Sequence, residues 1–228
     1  MTIEKNQERQ KDKLLLPGIK LVITDIDDTI VTPKERSFYT KYSEAVDKAV
    51  SRYLNCDQQT AKQVADFYRK KYKGGQYVLF IGNIHEHFPQ FGVREPNFSI
   101  LYDTMCEINP ENCFNDASNV AKLLERLKME EVVVVGLTSS PLDLSRKILK
   151  ASGINHNIHF NELIAYTREE GPPKMVLKEK VFQNILEKYN VLPQEVLSIG
   201  DNYSYEIAIP LQMGMRAALI AGTSPDQR

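Results

Sequence analysis

Five short runs of continuous, β-rich apolar residues punctuate this chain: Leu21 to Thr24, Val132 to Leu137, Leu163 to Tyr166, Val196 to Ile199 and Ala217 to Ile220. A strand that alternates apolar and polar residues has one wet face, whereas a strand that is apolar throughout must be covered on both. Between the runs lie segments with a period near 3.6. Val120, Leu123, Leu124 and Leu127 form one; Leu144, Ile148 and Leu149 ahead of Gly153 a second; Val181, Ile185, Leu186 and Tyr189 a third. Strand and helix alternate, which predicts an α/β fold built on a doubly wound parallel sheet. In such sheets ligands collect outside the C-terminal ends of the strands, where the strand order reverses.

The alternation breaks between about Ser37 and Glu111. Phe38, Tyr42, Val46, Val50 and Tyr53 mark one amphipathic helix; Ala61, Val64, Phe67 and Tyr68 mark a second, with Asp57 as its N-cap. A third follows Asn97 through Leu101, Tyr102 and Met105. With no strands to cover, these helices predict a mainly helical cap subdomain over 37–111, set on an α/β core made of 1–36 and 112–228. Gln76 to Ile84 suits a buried helical turn or a strand equally, and the polar stretch from Met1 to Lys13 reads as a frayed lead-in.

Composition narrows the function. With 228 residues and 42% hydrophobic content the chain can bury a sizeable core, and 29 basic against 30 acidic residues give a net charge of -1. No global positive field exists to gather a nucleic-acid polymer or an anionic membrane. The basic run Arg69, Lys70, Lys71 and Lys73, beside Tyr68 and Tyr72, reads as a solvated helix face. No stretch approaches the roughly 20 apolar residues of a membrane span. Cys56, Cys106 and Cys113 are an odd number without metal-type spacing, which suits a reducing, cytoplasmic setting. His85 and His87, and His156 and His159, are spaced for metal binding but lack an evident third ligand, so both pairs read as ordinary surface or cap residues.

The strand ends carry the chemistry. The first strand closes in LVITDIDDTIVT, so Asp25 and Asp27 leave it two residues apart, with Asp28 and Thr29 next. Carboxylates crowded at one strand end repel each other unless a cation or an anionic reaction needs them. The second apolar run leads into Thr138 and Ser139, hydroxyls expected at the start of the following helix, where free amides cradle anions. The fourth ends in SIGDN, giving Gly200 and Asp201, with Glu206 a little further on, and Lys178 opens the helix before it.

These residues resemble the four motifs of the haloacid dehalogenase-like hydrolase superfamily, in its large phosphatase branch. Asp25, Asp27 and Thr29 match the first motif, Thr138 the second, Lys178 the third, and Gly200, Asp201 and Glu206 the fourth. Lys178 is preferred to Lys174 and Lys180 because its spacing ahead of Asp201 is the one familiar in the superfamily. The long stretch between Thr29 and Thr138 sits where the superfamily places its type-1 helical cap.

The resemblance implies a Rossmann-like core and a Mg²⁺-dependent phosphatase acting on a small phosphorylated metabolite of the nucleotide or sugar and glycolate phosphate class. It makes Asp25 the nucleophile that forms an aspartyl-phosphate and Asp27 the general acid and base. Mg²⁺ is implied at the Asp25 carboxylate, the Asp27 backbone carbonyl and the Asp201 carboxylate. Thr138, Ser139 and Lys178 are implied at the phosphoryl oxygens, with Thr29, Gly200 and Glu206 in supporting places. An acid at Asp27 separates phosphate-ester chemistry from dehalogenation, whose halide leaving group needs no proton. The alternatives are a phosphomutase of the same superfamily, a non-catalytic scaffold on the same fold, and a phospho-accepting receiver, which is about half this length and has no cap. Tyr39, Lys73, His85 and Arg94 are further candidates for substrate contact.

Overall fold

A computed structural model of the chain describes residues 15–34, 37–71, 84–92, 98–168 and 178–220. The lead-in from Met1 to Lys13, Lys73, Gln76 to Asn83, Arg94 and Lys174 fall outside them. Five parallel strands, β1 (Leu21–Thr24), β2 (Val133–Pro141), β3 (Glu162–Tyr166), β4 (Val196–Gly200) and β5 (Arg216–Leu219), form one sheet in the order β3-β2-β1-β4-β5. β1 is therefore the central strand, paired in register with β2 on one side (Thr24 with Gly136) and with β4 on the other (Thr24 with Ile199). The chain winds outward from β1 through β2 and β3, then returns to β1's other edge at β4, so strand order reverses beside β1.

The inserted segment carries helix α1 (Ser37–Leu54), α2 (Gln58–Lys71), the single turn α3 (Ile84–His87) and α4 (Phe98–Cys106). The periodic apolar residues lie mainly on the buried faces, and Asp57 caps α2 by accepting from the Thr60 amide at 2.9 Å. Arg69 departs from the solvated face expected of it: it reaches from α2 to Asp47 of α1 at 2.6 Å and to Asp66 at 2.8 Å. Arg52 ties α1 to Glu107 at 2.8 Å and to Thr104 of α4 at 3.1 Å. The segment leaves and rejoins the sheet at one place, where Pro33 bridges Phe114, the Lys34 amide donates to the Cys113 carbonyl at 2.7 Å, and the Asn115 amide to the Thr32 carbonyl at 2.9 Å. The Phe38 ring packs on Phe114 with centroids 4.7 Å apart and anchors the start of α1 there.

Alternation of side chains along the strands divides the core in two. Val22 and Val134 face helices α5 (Ser118–Met129) and α6 (Leu142–Ala151), which contribute Leu124, Leu127, Leu144, Ile148 and Leu149. The single turn α7 (His156–His159) then leads into β3. Leu21 and Ile23 of β1, with Val135 and Leu137 of β2, face the other way, toward Phe182 and Ile185 of helix α8 (Lys178–Tyr189). The expected burial on both faces holds for the central strands; edge strand β5 remains half-open to solvent.

One local expectation changes. β2 runs on through Thr138, Ser139 and Ser140 to Pro141, because after a register shift the strand pairs again with β3, Pro141 beside Tyr166. Thr138 and Ser139 therefore stand within a strand and not at a helix start, and α6 begins only at Leu142. After Asp201, Tyr203–Ala208 form a π-helical turn, and Pro210 sits in the first turn of the short helix α9 (Ile209–Gln212), where its missing N–H costs nothing. The three cysteines are free thiols. Among the described residues no helix is long and apolar enough to cross a membrane.

Candidate active site

Asp25 follows directly on β1, and its amide donates to the Ile199 carbonyl of β4 at 2.9 Å, which fixes the residue between the two strands at the reversal of strand order. The chain then turns tightly: the Ile30 and Val31 amides both reach the Ile26 carbonyl at 3.1 Å, the Asp28 amide reaches the Val31 carbonyl at 2.9 Å, and Ile26 is fully buried beneath. Asp28 takes φ 59°, a left-handed conformation that an Asp tolerates better than most residues with a Cβ. The turn brings the Thr29 hydroxyl back onto Asp25 Oδ2 at 3.2 Å, the bracing place expected for it.

On the other side of β1, Gly200 ends β4 and Asp201 follows. The π turn carries Glu206 back over that strand end, where it is buried and its Oε2 accepts from the Asn202 amide at 2.7 Å. Ser198 of β4 holds the turn from below by donating to the Glu206 carbonyl at 2.8 Å. Gly200 is needed for this approach, since a Cβ there would lie 2.4 Å from Glu206 Oε2. Carboxylate oxygens of Asp25, Asp201 and Glu206 come within 4.8 Å of one another. Three carboxylates at that spacing, one of them buried, are a costly arrangement without a cation, and an all-oxygen donor set suits a hard divalent ion such as Mg²⁺. Glu206 thus belongs to the same carboxylate cluster as Asp25 and Asp201.

Asp27 faces β2. Its Oδ2 accepts from the Thr138 hydroxyl at 3.1 Å and the Ser140 hydroxyl at 2.9 Å, while its Oδ1 is closed off from solvent and takes no hydrogen bond among the described residues. Burial pushes this carboxyl up to about 6 against the lowering pull of the two hydroxyls, and the Asp28 and Asp201 charges push it the same way as burial. The Thr138 hydroxyl, expected at the phosphate, spends its proton on Asp27 and accepts from the Ser140 amide at 3.0 Å. Ser139 points to solvent. Lys178 opens α8 as expected, but its side chain lies outside what the structure describes.

Ser140 is the residue that sequence reading missed. Positions two apart on a strand share a face, so once β2 is followed to Pro141, Thr138 and Ser140 fall together and Ser139 opposite. The signal lay in the doubled serine of TSSP. Tyr39, from the first turn of α1, also enters the site: its hydroxyl donates to Asp28 Oδ2.

His159 and His87 hold other partners. His159 is buried, accepts from the Asn155 amide on Nδ1 at 3.0 Å, and turns Nε2 to Glu125 at 3.2 Å. His87 Nε2 lies 2.6 Å from the Lys71 ammonium, and the His85 side chain is outside the described residues. Tyr102 of α4 donates to Asp143 of α6 at 2.9 Å, and Asp103 pairs with Arg168 at 2.8 Å, so the last helix of the inserted segment is tied to the sheet's C-terminal side.

A family model described as haloacid dehalogenase-like hydrolase matches residues 19–213 of the chain. Among solved structures, the chain is similar to a HAD phosphatase from Thermococcus onnurineus, with 21% identity over 89% of this chain and 86% of that one and a TM-score of 0.52. It is also similar to a HAD family enzyme from Bacteroides thetaiotaomicron in complex with magnesium and inorganic phosphate, with 12% identity over 90% and 96% of the two chains and a TM-score of 0.51. A dehalogenase with an intermediate complex matches as well, at 14% identity over 94% and 91% and a TM-score of 0.51. At these identities the likeness shows a shared fold. No curated protein matches the sequence significantly.

Proposed function

The chain belongs to the haloacid dehalogenase-like hydrolase family, and from that premise we propose that it is a Mg²⁺-dependent phosphatase of small phosphorylated metabolites, working through an aspartyl-phosphate on Asp25. The observation that carries this reading is the Asp27 carboxyl. Both hydroxyl donors converge on Oδ2, so Oδ1 is the oxygen left to hold a proton, in a pocket shielded from water. A dehalogenase has no use for that proton; a phosphate ester, whose alkoxide leaving group must be protonated, does.

In the first half-reaction an Asp25 carboxylate oxygen bonds to phosphorus in line with the ester oxygen, the ester P–O bond breaks, and Asp27 Oδ1 gives its proton to the departing oxygen. In the second, Asp27 takes a proton from water as the water oxygen bonds to phosphorus and the bond from Asp25 to phosphorus breaks, which returns both residues to their starting states. Thr29 holds Asp25 Oδ2 in place through its hydroxyl. Asp25, Asp201 and Glu206 would hold Mg²⁺, which when bound offsets their charge and that of the phosphoryl oxygens. The helical segment 37–111 is proposed as a cap that excludes water and selects the leaving group.

The test is phosphate release from a panel of nucleotide, sugar and glycolate phosphates with Mg²⁺ or with EDTA, run beside Asp27→Asn. Metal-dependent release that Asp27→Asn depresses by roughly 10²-fold or more supports the reading, that being the usual scale of general acid catalysis. Full turnover by Asp27→Asn would overturn it. Ser140→Ala removes one of two hydrogen bonds to the same carboxyl group and is expected to lower kcat by roughly 10- to 100-fold with little change in KM, since such bonds contribute about 1.5–3 kcal/mol. Ser140→Thr keeps the hydroxyl and is expected to recover most of the loss; if Ser140→Ala turns over like wild type, the hydroxyl does not position Asp27.

A further inference from the structure

Asp25, Asp201 and Glu206 cluster together and Asp27 is buried against β2, which leaves Asp28 beside them, half-buried, with neither arrangement to hold it. Its charge reaches Asp27 and Asp201, so an anion bound among those groups meets it as well. The group that faces it comes from the inserted helix: Tyr39 donates its hydroxyl proton to Asp28 Oδ2. The contact is built from both sides. The left-handed backbone at Asp28 and the Ile26-centred turn fix where the carboxylate starts. Phe38, buried on Phe114 beside the paired connections at Pro33, fixes the first turn of α1 and with it the neighbouring Tyr39. Tyr39 itself is 45% exposed, so its packing alone does not explain where its hydroxyl points.

We propose, resting on the phosphatase reading above, that Tyr39 is a positioning residue that turns the Asp28 carboxylate toward α1 and away from the approaching phosphate, thereby setting substrate affinity and leaving the chemical step untouched. Burial and the neighbouring Asp28, Asp27 and Asp201 all favour the protonated phenol, so the hydroxyl remains a donor. With Tyr39→Phe the carboxylate loses its tether and swings free beside a doubly negative ligand, a repulsion felt alike by bound substrate and transition state. Such uniform effects appear in KM.

The test is a double-mutant comparison of wild type, Tyr39→Phe, Asp28→Asn and the double variant with para-nitrophenyl phosphate in saturating Mg²⁺. Tyr39→Phe is expected to raise KM roughly tenfold while kcat stays within about twofold. In the Asp28→Asn background, where no charge needs turning, the same substitution is expected to change KM by less than about twofold. An equal rise in both backgrounds would mean that Tyr39 touches the substrate itself and would overturn the proposal, as would no rise in either. Calorimetric titration of the four proteins with inorganic phosphate and Mg²⁺ reads the same pattern without turnover. If phosphate binding follows the Asp28-dependent pattern while no ester is hydrolysed, the phosphatase reading fails and the role of Tyr39 stands. If wild type binds no phosphate, there is no anion for Asp28 to repel and the proposal fails.

Discussion

Asp25→Asn is expected to reduce phosphate release by roughly 10⁴-fold or more, the scale on which covalent nucleophiles are lost, while raising the melting temperature measured in EDTA. The two effects have one origin. Asp25 sits within 4.8 Å of the Asp201 and Glu206 carboxylates, and Thr29 and the Ile199 carbonyl hold it there. Removing its charge takes away the proposed nucleophile and also one of three mutually repelling groups. The amide of Asn can still accept the Thr29 hydrogen bond, so the loop keeps its shape. For a chain of this size a relief of about 1 kcal/mol raises the melting temperature by about 2–4 °C. Adding Mg²⁺ should stabilise wild type more than the variant, because the variant has lost a charged ligand. Turnover above about one per cent of wild type would rule out Asp25 as the nucleophile, and a lower melting temperature in EDTA would mean that the three acids are not in conflict.

Gly200→Ala is the second large effect, and it comes from a single methyl group. The added Cβ would meet Glu206 Oε2 at 2.4 Å and its Cβ and Cγ at 2.5 and 2.6 Å, with the π turn held against β4 by Ser198 and Asn202. The side chain cannot swing clear without giving up its place above the strand end. Overpacking of this kind costs about 1–3 kcal/mol, and displacing a ligand or its support lowers metal affinity by roughly 10–100-fold. The expected result is a lower melting temperature and a right-shifted Mg²⁺ dependence of phosphate release, with kcat largely restored at high Mg²⁺. A variant with wild-type Mg²⁺ affinity would show that Glu206 takes no part in holding the ion.

The sheet was legible because its central strands are apolar on both faces, and the helices because their buried residues recur at 3.6; both signals come from the same core that stabilises the fold. Asp25, Asp27 and Asp201 were legible because acids at strand ends are expensive and so stand out. What escaped was decided by backbone detail. The apolar run of β2 stops at Leu137, but the strand does not, since hydroxyl residues can pair as well as valines, and only the renewed pairing of Pro141 with Tyr166 reveals that Ser140 shares a face with Thr138. Glu206 is implied in a supporting place by the resemblance; the π turn that returns it over Gly200 is announced by no spacing in the sequence. The contact between Tyr39 and Asp28 depends on how α1 is anchored by Phe38, which no spacing in the sequence encodes.

The paired connections at Pro33 and Phe114 carry a consequence for how such an enzyme changes over generations. A chain that departs and comes home through one doorway can lengthen, shorten or exchange what lies between without rethreading a single strand. On the proposed reading the chemistry stays with the sheet, and the choice of what is brought to it becomes a separate inheritance. Tyr39 is one place where the two inheritances touch, and the one that bonds to the turn after β1: it travels with the exchangeable part yet bonds to the permanent one, so any replacement segment has to bring its own answer to Asp28.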